Sequence, residues 1–312
     1  MSIPIVCVVG PTATGKTRLA VRLAQNYNGE VVSADSMQVY RGMTIGTAKP
    51  TAEEMQGVPH HLIDCLNPDE PFNVARFVEL AHDVIRDIRS RGKLPIVAGG
   101  TGLYINSLID NISFDEFEGD LTLREQLSDR LSSEGSAVLY EELSAVDPVA
   151  AAKIHPNNSK RLIRALEVYL STGVPFSEWA VRSRSVSSPY SPTIIGLTYA
   201  DRHLLYEKID ARVDLMIAGG LIDEVRELMD SGLSKSTTSM QAIGYKEILQ
   251  FLCGEISREK AIELVKQESR RYAKRQLTWF HRDTRIEWLE ASDDFENILK
   301  KSCKIMEISA QM

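Results

Sequence analysis

Paired cysteines are missing from this sequence. Its four, Cys7, Cys65, Cys253 and Cys303, are scattered and form no C-x-x-C pair. That argues against a zinc site and a disulfide framework, and fits a reducing compartment. A basic stretch ahead of a long apolar run is missing too. The apolar run near the N-terminus is too short for a signal segment or a membrane span, so a cytoplasmic, membrane-free chain is expected. There is no excess of positive charge: the formal net charge of −7 does not by itself suggest nucleic acid, although a global sum can hide a basic face. Internal repeats and low-complexity tracts are absent as well. What remains, 312 residues of which 43 % are hydrophobic, is enough to bury a sizeable core in one large or two modest domains.

The most informative stretch present is Gly10-Pro11-Thr12-Ala13-Thr14-Gly15-Lys16-Thr17. It follows the β-branched run Ile3–Val9 and precedes the helix-like segment from Arg18 to Ala24, so it fits G-x-x-x-x-G-K-[ST] in the required strand–loop–helix context. Two glycines let successive N–H groups point into one concavity, and the helix start adds its positive end. Lys16 brings a full charge to phosphate oxygens, and the Thr17 hydroxyl can ligate Mg²⁺. The loop therefore predicts binding of a di- or triphosphate, without saying which one or for what reaction.

Further strands are expected at Glu30–Asp35, Leu94–Ala98 and Thr193–Thr198, and helices at Val74–Ile88, Leu204–Ala218, Leu221–Met229 and Arg258–Phe280. Between Ser36 and Pro50 lies a polar, glycine-punctuated loop long enough to be functional or mobile. Residues 113–185 carry leucines at helical spacing among charges and read as a helical insertion. It is bounded by a linker-like stretch, Ser183–Pro192, and splits a core of residues 1–112 and 186–312. The expected fold is thus α/β, a P-loop NTPase-like parallel sheet with a helical insertion domain.

Asp35 closes the second strand, where ligands sit in open parallel sheets. It can be a general base, a ligand to Mg²⁺ held by Thr17, or a plain loop-capping residue. Thr101, in the turn Gly99-Gly100-Thr101-Gly102, can donate to a phosphate or substrate, or merely sit in a turn that needs glycine. An acid is missing where a hydrolytic ATPase carries one: the buried strand Leu94–Ala98 ends in Gly99-Gly100, and Leu62-Ile63-Asp64 is a thin substitute. That weakens a motor or ATPase reading. Adjacent His60 and His61 point opposite ways on an extended chain and complete no metal site.

Two basic clusters stand against the acidic total. Lys160, Arg161 and Arg164 share one helix of the insertion. From Lys266 to Arg285 there are seven basic residues and two acidic ones, with Tyr272, Trp279, Phe280 and His281 interleaved. Such clusters suit phosphate backbones and exposed bases, or are simply solvated helix faces.

The residues also carry a resemblance. Gly10–Thr17, Ser33–Met43, Ile45–Pro50, Pro59–Asp64, Gly99–Tyr104, Arg161–Val168, Ala242–Glu247 and Tyr272–Phe280 closely resemble, in order, the motifs of tRNA dimethylallyltransferases (tRNA isopentenyltransferases). The match runs along nearly the whole chain and looks like a compact bacterial member without the appended zinc finger of many eukaryotic relatives. The resemblance implies transfer of a dimethylallyl group from dimethylallyl diphosphate to N6 of adenosine 37, beside the anticodon of tRNAs that read codons beginning with U. It implies Mg²⁺ as cofactor and the anticodon stem-loop as partner; a monomer is expected.

Residue by residue, Asp35 matches the general base, and Lys16 with Thr17 completes the catalytic set. Gly10 to Thr17 match the diphosphate cradle, Thr17 touching the metal. Asp35, Ser36, Met37 and Gln38 match the contact with a flipped adenine. Thr101 matches a tRNA contact, and Lys160, Arg161, Leu162, Ile163 and Arg164 a tRNA-binding helix; Arg124, Lys274 and Arg275 join the expected tRNA-contacting set. One departure is Thr14, where many members carry Ser, and both offer a hydroxyl. Rival readings are an adenylate isopentenyltransferase acting on free nucleotides, a small-molecule or nucleotide kinase, and a non-catalytic RNA-binding module.

Overall fold

The computed structural model describes residues 2–114, 120–292 and 294–311. Two compact units emerge, Met1–Ile109 with Pro189–Met312, and Asp110–Ser188. The larger unit begins with β1 (Ile3–Val9), α1 (Lys16–Asn26), β2 (Gly29–Ser33), α2 (Ala52–Met55), β3 (His60–His61), α3 (Val74–Ser90), β4 (Leu94–Gly99) and α4 (Gly102–Ile109). The smaller unit holds α5 (Leu121–Glu134), α6 (Ser136–Val146), α7 (Pro148–Ala151), α8 (Ser159–Thr172) and α9 (Phe176–Arg182). The chain then returns to the larger unit with β5 (Tyr190–Thr198), α10 (Arg202–Ala218), α11 (Leu221–Asp230), α12 (Tyr245–Leu252), α13 (Arg258–Phe280), β6 (Ile286–Glu290) and α14 (Phe295–Gln311). No helix among the described residues is long and apolar enough to cross a membrane.

The strands form one parallel sheet in the order β3-β2-β4-β1-β5-β6, so the α/β expectation holds. Central β1 is buried from Ile5 through Val9, as expected of a strand covered on both faces. Helix α3 turns Phe77, Val78, Ala81, Ile85 and Ile88 inward, and each fully buried large apolar side chain contributes roughly 1.5–3 kcal/mol.

Two differences from the sequence-based expectation have physical causes. Strand β5 starts at Tyr190, inside the stretch that reads as a linker, pairing Tyr190 with Ile3 and Pro192 with Ile5. Its partner β6 joins only from Ile194, so Pro192, lacking an N–H, sits where the ladder runs on one side alone. Strand β6 itself escapes the reading because Ile-Glu-Trp-Leu-Glu is short, mixed and mostly half-buried, as edge strands are.

In the smaller unit Leu127, Leu139, Leu143, Leu162 and Leu166 form a core of their own. Glu167 of α8 is fully buried there and is held by Arg124 at 2.7 Å and Arg164 at 3.2 Å.

Candidate active site

The Gly10–Thr17 loop leaves the end of central β1. Gly10 has φ 138°, and a Cβ there would lie 2.3 Å from the Leu197 carbonyl oxygen of β5, so only glycine lets the turn pass its neighbour. Gly15, left-handed, caps α1 without a side chain, leaving first-turn N–H groups for an anion. Inside the loop the Thr14 hydroxyl is buried and donates to Pro11 O at 2.9 Å, while the Lys16 ammonium donates to the same oxygen at 2.6 Å. The Thr12 N–H donates to Gln276 Oε1 at 3.0 Å, and Gln276 Nε2 donates to Gly100 O at 3.0 Å. One amide from α13 thereby ties this loop to the glycine-rich turn after β4.

A cleft of about 620 Å³ opens beside the loop, lined wholly by residues of the larger unit. Thr12, Ala13, Gly15, Lys16 and Thr17 line it, as do Asp35, Ser36, Met37 and Gln38 from beyond β2, and Arg275 from α13. Gly10, Pro11 and the Thr14 side chain are buried behind it. Thr101 stands at the turn that enters the cleft through Gly99 and Gly100; its N–H donates to Ala34 O at 3.3 Å and its hydroxyl lies beside the Tyr272 phenol. Much of the remaining lining is apolar: Ile209, Val213 and Met216 from α10, Ile243 before α12, and Val265 from α13.

Asp35 uses one oxygen to shape its own loop. Oδ1 accepts from Met37 N at 2.8 Å and Gln38 N at 3.3 Å, an Asx-type turn. Oδ2 makes no hydrogen bond among the described residues. The capping reading and the chemical reading are therefore compatible, one oxygen for each. The Gln38 amide is more fully engaged: Nε2 donates to Thr47 O and Ala48 O, each at 3.3 Å, and Oε1 accepts from Ser33 Oγ at 3.0 Å.

Three residues of the cleft lie outside the site residues expected from the sequence, Tyr272 having entered as an aromatic among the basic residues of 266–285. Arg212 of α10 lines the cleft and makes no hydrogen bond among the described residues. Burial lowers its pKa, while Asp35 and Glu54 pull it back up. Burial, then repulsion from Arg212, pushes the Lys16 amine down to about 7, with Asp35 opposing. Two cations held this close without full neutralisation want an anion. Tyr272 also lines the cleft, its phenol pushed up to about 12 by burial and the nearby Asp35 charge. Gln276 is the third. The available signal was spacing: Val265, Ser269, Tyr272 and Gln276 follow a helical 4-3-4 stripe, and Arg212 interrupts the apolar stripe of α10.

The basic clusters divide. Lys160 and Arg161 are exposed on α8 and make no ion pair among the described residues, whereas Arg124 and Arg164 are spent on Glu167. Leu162 is in the smaller unit's core and Ile163 packs against it, so both can support that helix surface but Leu162 cannot be part of it. On α13, Lys266, Arg270 and Arg271 pair with Asp214, Asp210 and Glu268, and Arg285 pairs with Asp283. Lys274, Arg275 and Arg282 are exposed and make no ion pair among the described residues; Arg275 also lies over the Tyr272 ring at 5.6 Å.

No three His, Cys, Asp or Glu side chains among the described residues are grouped to hold a metal. Mg²⁺, however, commonly takes one or two protein oxygens and completes its shell with phosphate oxygens and water. The Thr17 hydroxyl, in the cleft and not hydrogen-bonded among the described residues, fits that pattern; Asp35 Oδ2 can serve either the metal or a proton, not both at once, and is here assigned to the proton.

Known proteins are similar to this chain in sequence and in fold. Residues 38–283 match the family described as IPP transferase. A tRNA dimethylallyltransferase of Caldanaerobacter subterraneus is 55 % identical over 294 residues, covering 94 % of this chain and 93 % of the relative. The crystal structure of a full-length tRNA isopentenylpyrophosphate transferase from Bacillus halodurans superposes with TM-score 0.74 at 46 % identity, covering 100 % of this chain and 99 % of that one. A eukaryotic dimethylallyltransferase acting on tRNA superposes with TM-score 0.79 at 33 % identity, over 94 % of this chain and 75 % of its own. With the match spanning most of the sequence and the fold alike throughout, the chain belongs to the IPP transferase family.

Proposed function

We propose that this protein is a tRNA dimethylallyltransferase, moving a dimethylallyl group from dimethylallyl diphosphate to N6 of adenosine 37 in the anticodon loop. The observation that carries the reading is one cleft that combines an anion cradle, a carboxylate and an apolar lining. Lys16, Arg212 and the loop N–H groups suit a diphosphate. Ile209, Val213, Met216 and Val265 suit a five-carbon branched tail. Asp35, near both cations, has Oδ2 unengaged for a proton.

In the proposed reaction the allylic C–O bond breaks as the N6–C bond forms. The bond pair leaves with the diphosphate, and the N6 proton passes to Asp35 Oδ2. The amine is a poor nucleophile, so removing its proton during attack lowers the barrier. Lys16 and Arg212 stand where the leaving diphosphate gains charge. Mg²⁺ held by Thr17 and the diphosphate oxygens would add charge neutralisation at the same place. The apolar lining excludes the water that would otherwise capture an electron-poor allyl group.

Adenine inside a stacked loop must be turned out to reach Asp35, at a few kcal/mol. Lys160, Arg161, Lys274 and Arg275, exposed and not ion-paired among the described residues, are the backbone contacts that would offset this.

Release of diphosphate from dimethylallyl diphosphate tests the reading, with Mg²⁺ and either an unmodified anticodon stem-loop carrying A36-A37-A38 or AMP. Release that requires the RNA supports it. Equal release with AMP transfers the chain to the free-nucleotide activity, and no release but ADP formed from ATP in step with phosphorylation of an added small-molecule acceptor transfers it to a phosphotransferase.

A further inference from the structure

The loop between β2 and α2 supplies Gly46, Thr47 and Ala48 to the cleft lining, and it is held from outside the sheet. Three consecutive backbone N–H groups, Thr44, Ile45 and Gly46, donate to the carboxylate of Glu224 at 2.9, 2.7 and 3.1 Å. Three successive N–H groups converging on one point form an anion-binding nest, and here a side chain of α11 fills it. The Tyr245 phenol donates to Glu224 Oε1, the oxygen that also takes the Gly46 N–H. The packing at this point is close: a Cβ on Gly46 would lie 2.4 Å from the Tyr245 ring and 2.9 Å from Leu221.

The clamp leads on to the chemistry. Beyond Gly46, the carbonyls of Thr47 and Ala48 hold the Gln38 amide, whose oxygen is bonded by Ser33, and Gln38 N is one of the two groups on Asp35 Oδ1. At the far end the Lys49 ammonium, almost fully buried, donates to Tyr40 O at 2.8 Å and pairs with Asp64. A path of hydrogen bonds joined by short stretches of covalent chain thus runs from Glu224 through the loop and Gln38 to the turn that carries Asp35. The diphosphate cradle, built from Thr12–Thr17 and Arg212, lies outside that path.

From this we infer that Glu224 is a positioning residue for the acceptor: its carboxylate sets the Gly46–Ala48 wall, and through Gln38 the Asp35 turn, against which the nucleobase is presented. The inference rests on the proposed prenyl transfer. Glu224→Gln keeps the shape but brings an amide NH₂ against N–H groups, which costs one or more charge-assisted bonds.

Steady-state kinetics of Glu224→Gln with the anticodon stem-loop and dimethylallyl diphosphate test it, beside hydrogen exchange at the amides of residues 44–46. The expected result is an RNA KM raised about tenfold or more, a donor KM changed less than about threefold, and amides 44–46 exchanging at least about tenfold faster, each unit of ten being one bond's worth of opening. Equal effects on both KM values, no effect on either, or unchanged exchange overturns it. If Glu224→Gln does not fold, Tyr245→Phe serves: removing one of four donors should raise the RNA KM about threefold with the donor KM unmoved, and an unmoved RNA KM overturns the inference. If the wild-type protein transfers no prenyl group, the proposed function falls and the exchange rates alone decide whether Glu224 holds the loop.

Discussion

Lys16 should take up a proton when the diphosphate binds. Burial and Arg212 hold its amine down to about 7, with Asp35 opposing. A diphosphate beside it favours the charged form and returns it toward the ordinary lysine value of 10.5. The sign follows from linkage: binding raises the pKa, so the affinity contributed by the charge is fully present below 7 and is lost as pH rises through that value. With a free value of about 7, roughly a quarter of the amines are protonated at pH 7.5 and roughly 3 % at pH 8.5, so affinity should fall about eightfold over that unit. The ligand's own last phosphate ionisation, near 6, is complete across this range.

Titration calorimetry of dimethylallyl diphosphate without RNA, in buffers of different ionisation enthalpy, counts the protons directly. About 0.9 proton per site is expected at pH 8. Lys16→Met should bind more weakly at pH 7 and take up none. A flat affinity between pH 7.5 and 8.5, or no proton uptake by the wild-type protein, refutes the reasoning.

The other predictions concern the base, the RNA surface and the fold. Asp35→Asn keeps an acceptor for the Met37 and Gln38 N–H groups but cannot take a proton, so turnover should drop about a hundredfold or more with RNA affinity largely kept; single-turnover rates and binding curves check both. Lys160→Ala with Arg161→Ala should flatten the salt dependence of RNA binding, by about 0.7–0.9 in log–log slope for each phosphate no longer neutralised, as read by titration at several salt concentrations. Arg164→Ala should instead lower stability, because it helps neutralise the fully buried Glu167. Glu30, 1 % exposed, is held by Arg91 at 2.5 and 2.7 Å, Lys93 at 2.7 Å and His61 at 2.7 Å, which keep its carboxyl far below the ordinary 4.5. Its stabilisation is present above that ordinary value and fades as pH falls below it. Glu30→Ala should cost about 3 kcal/mol in urea unfolding at pH 7, and less near pH 3.

Local pattern made much of this molecule legible. The Gly10–Thr17 loop, the acid after β2, the amphipathic α3 and the span of α13 each follow from residues adjacent in sequence, where spacing alone carries the signal. What stayed hidden depends on distance along the chain. Arg212, Tyr272 and Gln276 reach the cleft only when α10 and α13 fold back on the loop, and Gln276 meets Thr12 across 264 positions. The basic cluster on α13 likewise reads as one face, yet Lys266, Arg270, Arg271 and Arg285 are tied to acids, three on neighbouring elements or turns that a count of charges does not pair. Glu224 is the extreme case, an ordinary acid on an amphipathic helix until the Thr44–Gly46 nest is placed over it.

The most direct test of the account is the position of the transferred group. Labelled dimethylallyl diphosphate, Mg²⁺ and the protein are incubated with an unmodified anticodon stem-loop, the RNA is digested, and the modified nucleoside is located by mass spectrometry. One prenyl group is expected, on N6 of adenosine 37, absent with Asp35→Asn on the same time scale. Label on another nucleoside, on AMP in preference to RNA, or on nothing at all contradicts it.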